Sequence, residues 1–166
     1  MFGGCVVKSD DCRDDVWYNG GMLKLWTDGS ANPNPGPGGF AVILEQEDGS
    51  GKPVILGREA ESSNIRMEGL AIIAAIRGAK GRQVEIHTDS EFWINVMTKW
   101  MNQWAENGWK KKRGEIKNLD IVKQLYELYD PEQVKLVWVR GHVGTELNEM
   151  ADIWANRARE GEKLTD

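Results

Sequence analysis

Four carboxylates stand in stretches of the chain that otherwise have an apolar, regular pattern. Asp28 interrupts a strand-like run, Glu68 lies in an apolar helical stretch, and Asp89 ends a β-branched run. Asp152 lies among apolar neighbours near the C-terminal end of the sequence. Carboxylates are rarely buried unless they are paired or bind a metal, because removing an unpaired charge from water is costly. Any one of the four could be an ordinary surface group, but together they predict a shared acidic site.

Crowded carboxylates have a definite chemical use. They repel one another and raise one another's pKa, and a divalent cation removes that repulsion. Hard oxygen ligands suit Mg²⁺ or Mn²⁺ rather than zinc. Two such ions about 4 Å apart can activate water and stabilise the leaving oxygen of an in-line phosphoryl displacement. We therefore expect a site for two Mg²⁺ ions, with Mn²⁺ able to substitute.

His142 is a further candidate for this chemistry. It lies in "VRGHVGTELNEMAD", ten residues before Asp152, in a loop between the last predicted strand and the last predicted helix. A loop histidine could be a metal ligand, a proton shuttle or a solvated side chain. Because the chain has only two histidines, a site with several histidine ligands is excluded. We favour proton transfer for His142.

The elements that position these residues follow from the periodicity of the sequence. Alternating or β-branched runs predict strands, and stretches with a helical period, bounded by capping residues, predict helices. The predicted strands are 22–30, 39–46, 52–60, 83–89 and 133–139. The predicted helices are 62–81, 90–108, 118–130 and 144–161. The helix over 90–108 is expected to be either continuous or broken in its middle.

This order of elements predicts an α/β fold with one mixed sheet. The first three strands form an antiparallel meander, because only short turns join them. The last two strands are separated by helices, so we expect them to pair in parallel through right-handed crossovers. The result is a five-stranded sheet flanked by helices. Functional sites in such sheets form at the carboxyl ends of the strands.

Length and composition predict one globular domain. The chain has 166 residues, of which 40% are hydrophobic, and it contains no apolar run near the ~20 residues that a membrane span needs. The N-terminus lacks the pattern of a secretory or transit peptide, so we expect a cytoplasmic protein without membrane contact. We assign 22–161 to the domain, 162–166 to a tail and 1–21 to a flexible extension, with an edge strand through "CVV" as the alternative.

Two features remain open on residue chemistry alone. Cys5 and Cys12 are either free thiols, which we favour in a reducing compartment, or a small disulfide loop. The net charge of −5 argues against nucleic-acid binding, but residues 99–117 hold six basic and two acidic side chains. That local excess, with Lys110, Lys111 and Lys112 at its centre, is either a footprint for phosphates or a solvated charged face.

Five blocks of sequence resemble type 1 ribonuclease H. They are "TDGSANPNPGPGG", "NIRMEGLAIIAAI", "TDSEFWI", "TKWMNQWAENGWK" and "WVRGHVGTELNEMAD". They occur in the family's order and near its spacing, and the resemblance runs from Met22 to about Gly161. It implies a ribonuclease H-like fold and endonucleolytic hydrolysis of the RNA strand of RNA/DNA hybrids with two Mg²⁺, giving 5′-phosphate and 3′-hydroxyl ends. We expect a monomer.

The resemblance also implies roles for individual residues. The catalytic and metal-binding carboxylates are Asp28, Glu68, Asp89 and Asp152, and His142 matches the loop histidine that aids proton transfer or product release. The positions that match RNA contacts near the 2′-hydroxyls are Asn34, Asn64 and Glu91, which fits the 2′-OH as the group that distinguishes RNA from DNA. On the DNA side, Ser63 matches a position near a phosphate, and Trp100 and Trp104 match aromatic residues that flank the strand. Core packing is the alternative for Trp104.

Two departures from the family pattern bear on affinity. Ala105 and Glu106 stand where the family often has a basic pair, so hybrid affinity or the docking angle is expected to differ. Gly69 replaces the larger apolar residue usual after the catalytic glutamate, and we expect it to loosen the helix or to allow a close approach. A different nuclease of the same fold and a catalytically weak hybrid-binding module remain the alternatives.

Overall fold

The computed structural model describes residues 6–7, 21–140 and 146–164, the first pair by its backbone alone. His142, Cys5, Cys12 and most of the extension predicted over 1–21 lie outside these ranges. The interpretations given above for those residues therefore stay predictions.

The strands form one mixed sheet. They are β1 Val6–Val7, β2 Leu23–Ala31, β3 Gly36–Glu45, β4 Gly51–Ser62, β5 Val84–Thr88 and β6 Val134–Trp138. Their order across the sheet is β1-β4-β3-β2-β5-β6. Strands β2, β3 and β4 pair antiparallel, and β5 and β6 continue the sheet in parallel with β2. The five predicted strands and their pairing are thus confirmed, and the two-residue β1 adds a short sixth strand beside β4.

The helices flank this sheet. They are α1 Asn64–Ala79, α2 Glu91–Asn95, α3 Met101–Glu106, α4 Leu119–Leu128 and α5 Glu146–Arg159. A π-helical turn, Val96–Trp100, joins α2 to α3, so the stretch predicted over 90–108 is helical throughout with its irregularity in the middle. Within the described ranges, no helix has the length and apolar character that a membrane crossing requires.

Helix α1 begins and ends at the residues that its capping signals predict. The Ser63 hydroxyl accepts a hydrogen bond from the Arg66 N–H at 3.1 Å, which satisfies one of the free donors of the first turn. At the other end Lys80 and Gly81 adopt left-handed conformations that stop the helix. Because both ends are fixed, the position of Glu68 in the second turn is fixed as well.

The core lies on both faces of the sheet. On one face, α1, α2 and α4 cover alternate residues of the strands, and the largest buried side chains there include Leu23, Leu25, Phe40, Ile72 and Trp93. On the other face, α5 packs through small residues against Trp26, Ala41, Ile43 and Leu56. A Cβ at Gly39 would lie 2.5 Å from the Ala155 carbonyl oxygen, so the α5 backbone rests directly on β3.

The strand boundaries differ from the predicted ones at the glycine- and proline-rich turn. Strand β3 begins at Gly36 rather than at 39, and β2 extends to Ala31, so only four residues, 32–35, separate the two strands. Glycine and proline favour a loop in isolation, but here the residues opposite continue the ladder, as in the pair Ala31–Gly38. Pairing with a neighbouring strand has outweighed the local preference.

Candidate active site

Three of the four predicted carboxylates come together at the carboxyl edge of the sheet. Asp28 lies in β2, Glu68 in α1 and Asp89 directly after β5. One carboxylate oxygen from each lies within 4.8 Å of the others. Residues as far as 61 positions apart in the chain, Asp28 and Asp89, are therefore close enough to share one cation.

The parallel pairing of β2 with β5 brings Asp28 and Asp89 together. The register places Trp26 opposite His87, and each carboxylate follows its strand residue by two positions. Since the two strands run in the same direction, both side chains emerge at the same end of the sheet. The sheet topology alone thus accounts for this pair.

A glycine brings Glu68 to the pair. A Cβ at Gly29 would lie 2.6 Å from the Glu68 backbone nitrogen, a separation that real side chains do not have. The backbone of α1 therefore rests on the residue after Asp28. The Gly29 N–H also donates a hydrogen bond to the Asp28 carboxylate at 2.9 Å, which orients that side chain.

Burial and mutual repulsion raise the pKa values of two members of the cluster. Burial, followed by the charge of Asp89, raises the pKa of Asp28 to about 8. Burial, again with the charge of Asp89 second, raises the pKa of Glu68 to about 7, against a lowering by the Ser90 hydroxyl. Carboxylates that disfavour their own ionisation suit a divalent cation, which would stabilise the charged forms.

Asp152 lies at the edge of this cluster rather than inside it. It is on α5 and is exposed, so the apolar setting expected for it is wrong: Ala151 beside it is buried but Ile153 is exposed. Its charge nevertheless contributes to the raised pKa of Asp28. The helix is tied to the site strand one turn further on, where the Ser30 hydroxyl and the Asn156 side-chain oxygen are 2.9 Å apart.

Two predicted substrate contacts, Asn34 and Asn64, hold the turn before β3 against the start of α1. The Asn64 side-chain oxygen accepts a hydrogen bond from the Ala31 N–H at 2.7 Å, and the Asn34 side-chain oxygen accepts one from the Asn64 N–H at 3.0 Å. Ser63 caps the helix. These bonds use the amide oxygens rather than the amide N–H groups. Glu91 lies apart from them, exposed at the first position of α2.

The predicted aromatic contacts line a cleft between the helical stretch 91–106 and the loop that follows it. Trp100 and Trp104 have ring centroids 6.0 Å apart and border a cavity of about 360 Å³. Trp104 is half-buried and also packs against the core, so the cleft and the core share this side chain. The predicted Lys111 also lines this cavity, and sequence reasoning missed the other lining residues, which are Phe92, Ile116 and Lys117. Phe92 could have been found, because it lies eight residues before Trp100 on the same helical stretch.

The basic residues follow in the loop after α3. Lys110 and Lys111 line a neighbouring cavity of about 560 Å³, and Lys112 is exposed beside them. Left-handed conformations at Gly108 and Trp109 turn the chain at the start of this loop. At the family's usual basic pair, Ala105 is half-buried and Glu106 is exposed. The basic residues of this chain, 110–113, thus follow that pair in the loop after α3.

The fold and this site together define an α/β protein with a cation-attracting acidic cluster at the carboxyl edge of a mixed sheet. A sequence model of the RNase H family matches residues 21–160. The chain therefore belongs to the ribonuclease H family of endoribonucleases, and its resemblance to the type 1 enzymes is confirmed.

Individual relatives agree with this assignment. A ribonuclease H of Acidiphilium cryptum is 37% identical over 143 residues, which cover 85% of this chain and 88% of that protein. The crystal structure of LC9-RNase H1, described as a type 1 RNase H with the type 2 active-site motif, is 31% identical, covers 90% of this chain and 79% of that one, and superimposes with a TM-score of 0.68. LC11-RNase H1, solved in complex with an RNA/DNA hybrid, shares the fold at 22% identity and a TM-score of 0.63, over 84% of this chain and 97% of that one.

Proposed function

We propose that this protein hydrolyses the RNA strand of RNA/DNA hybrids endonucleolytically with two Mg²⁺ ions, for which Mn²⁺ can substitute. The observation that supports this most is the convergence of Asp28, Glu68 and Asp89 within 4.8 Å, with two of their pKa values raised. Bound there, the two ions would activate water and stabilise the leaving oxygen, giving 5′-phosphate and 3′-hydroxyl ends. Asp152 would complete the ligand set from α5.

The remaining residues would bind and orient the hybrid. The amide N–H groups of Asn34 and Asn64 and the carboxylate of Glu91 would meet 2′-hydroxyl groups of the RNA strand. Ser63 would contact a phosphate of the DNA strand. Trp100 and Trp104 would pack against deoxyribose, which lacks the polar 2′-hydroxyl, and Lys110 to Lys112 would neutralise phosphates. His142 would carry protons between solvent and the reacting groups.

The test is a cleavage assay on one end-labelled RNA strand. The strand is offered alone, paired with RNA and paired with DNA, each with Mg²⁺ and with a chelator. We expect internal cuts only in the DNA-paired strand and only with metal. Asp28→Asn should abolish them while the circular dichroism spectrum is unchanged. Asp130→Asn is the matched control, since both aspartates accept a hydrogen bond from a backbone N–H but Asp130 lies in an exposed turn.

Other outcomes would select another function. Cuts in duplex DNA without cuts in the hybrid would indicate a different nuclease of the same fold. Tight binding of the hybrid without metal-dependent turnover would indicate a binding module. A cytoplasmic location, a monomeric state and a domain over 22–161 belong to the same proposal and are tested by fractionation, by sedimentation and by limited proteolysis.

A further inference from the structure

The residue after Glu68 contacts a buried tryptophan. Gly69 is buried in α1, and a Cβ there would lie 2.7 Å and 2.8 Å from the Cζ2 and Cε2 atoms of Trp93 and 2.9 Å from the Ile121 side chain. Real Cβ atoms essentially never approach that closely. Helix α1 therefore meets the indole ring through a surface that only glycine provides.

Trp93 is held by hydrogen bonds at both of its ends. Its side chain is fully buried, and the indole N–H donates to the Ile65 carbonyl oxygen in the first turn of α1 at 2.7 Å. Its backbone N–H donates to the Ser90 hydroxyl at 3.2 Å. Ser90 follows Asp89 directly. The segment after Asp89 is thus joined to the helix of Glu68 through Trp93, by its hydrogen bond to Ile65 and by its contact with Gly69.

From this arrangement we infer that Gly69 and Trp93 are a positioning pair, whose contact sets the spacing of Glu68 from Asp89 and hence the affinity for divalent cations. The inference deepens, and rests on, the metal-binding part of the proposed function. Neither residue reaches the reacting atoms, so their effect is exerted through the two carboxylates.

The magnitudes support a metal-affinity effect. Ordinary van der Waals contact begins at 3.4 Å, so an added Cβ would move Trp93 or α1 by about 0.7 Å. Metal sites tolerate deviations of only about 0.2 Å in ligand distances. A methyl group at Gly69 would therefore disturb the cluster by more than the site can absorb without losing affinity.

The test measures Mg²⁺ binding to the substrate-free protein by titration calorimetry, well below the melting temperature of every variant. We expect Gly69→Ala to weaken binding at least tenfold. Adding Trp93→Phe should restore the affinity to within about threefold of the wild-type value, because phenylalanine lacks the indole edge that the new methyl group would meet. Because every variant is folded under these conditions, a substitution that only destabilises the core leaves the measured Mg²⁺ affinity unchanged.

Ile76→Ala is the matched control. Ile76 is buried on the same helix, two turns beyond Glu68, and its truncation should lower the melting temperature while leaving Mg²⁺ affinity unchanged. If Gly69→Ala binds Mg²⁺ as tightly as the wild type, or if the double variant is no better than Gly69→Ala, the inference alone is overturned. If the wild-type chain binds no Mg²⁺ at all, the proposed metal site falls and the inference falls with it.

Discussion

At the scale of single residues, the acidic cluster is a place where the folded chain holds protons that the unfolded chain releases. The pKa of Asp28 rises from 3.8 to about 8 on folding, chiefly through burial. Protonation of Asp28 therefore stabilises the fold fully below about pH 4, and this contribution is lost as the pH rises through about 8. At neutral and alkaline pH, Asp28 therefore lowers the free energy of unfolding of the metal-free protein.

Asp28→Asn should consequently stabilise the metal-free protein. With a chelator at pH 8.5, we expect its free energy of unfolding to exceed that of the wild type by at least about 1 kcal/mol, which is about 2–4 °C in Tm for a domain of this size. The amide can still accept the hydrogen bond from the Gly29 N–H but carries no charge. Thermal melts at pH 4 and pH 8.5 measure the difference, which should vanish at pH 4.

Asp130→Asn, at an exposed turn, should show no such dependence on pH. A wild-type Tm above that of Asp28→Asn at pH 8.5 with chelator would contradict the prediction. Saturating Mg²⁺ should favour the wild type, because the charged carboxylate is then a ligand rather than an uncompensated charge.

The sequence was informative at this scale where residue type and local pattern suffice. It identified Asp28, Glu68 and Asp89 because an acidic residue within a regular run of apolar residues is unusual in any fold. It did not predict the exposure of Asp152, since the apolar residues beside it in sequence point to different sides of a helix. It also gave no partner for Gly69, because Trp93 is distant in the chain and no periodicity connects them.

At the scale of elements, one ionic cluster joins β4, α1 and α4. The Arg66 guanidinium donates to Glu59 at 2.9 Å and to both oxygens of Asp120 at 3.0 and 2.8 Å. A lysine cannot reproduce this forked geometry. We expect Arg66→Lys to lower the free energy of unfolding by about 1 kcal/mol in urea titrations, a modest value because Asp120 is more than half exposed.

Arg77→Lys serves as the control for that prediction. Arg77 donates a longer hydrogen bond, 3.3 Å to Gln124, between the same two helices, and its replacement should cost less. Equal losses for the two substitutions would mean that the forked bonds of Arg66 add nothing beyond a surface charge.

The basic loop after α3 should act through phosphates. Replacing Lys110, Lys111, Lys112 and Arg113 by serine is expected to weaken binding of a hybrid. A plot of the logarithm of the affinity against the logarithm of the salt concentration should also become less steep, by about 1 to 3 in slope. Fluorescence anisotropy at several salt concentrations, with Ca²⁺ in place of Mg²⁺ to prevent cleavage, measures both quantities.

A loss of three positive charges elsewhere tests whether the loop itself is responsible. Serine at Lys24, Lys135 and Lys163 removes exposed charges outside the loop and should leave the slope nearly unchanged. An unaltered slope in the loop variant would show that its charges are simply solvated.

At the scale of the whole molecule, the order of the elements was enough to predict the sheet. Three hairpin-connected strands followed by two strands with helical crossovers leave few arrangements, and the observed order β4-β3-β2-β5-β6 has the expected meander followed by two parallel strands. Strand ends were less predictable, because β3 begins inside a glycine- and proline-rich segment where pairing with β2 decides the structure. The short strand β1 pairs through two residues of the stretch "CVV", for which an edge strand was only the alternative, because so short a run gives a weak pattern.

That short pairing allows a prediction about the N-terminal extension. Deleting residues 1–21 removes the pairs Val6–Leu56 and Val7–Ile55, which should cost about 1–2 kcal/mol at the usual net value of a backbone hydrogen bond. We expect the melting transition to stay cooperative and hybrid cleavage to stay near the full-length rate. Collapse of the transition would show that the extension is an integral part of the domain.

The π-helical turn at Val96–Trp100 has a consequence for how the length of the chain can vary. A π turn holds one residue more than the α-helical turn it replaces, so it is the place where a single codon can be lost without breaking the helix. Because the extra residue lies within the wider turn, its loss would leave Trp104 and the loop beyond it in nearly the same orientation around the helix axis. A deletion here would therefore shorten the chain and keep the aromatic cleft, whereas the same deletion within α3 before Trp104 would turn that side chain by about 100°.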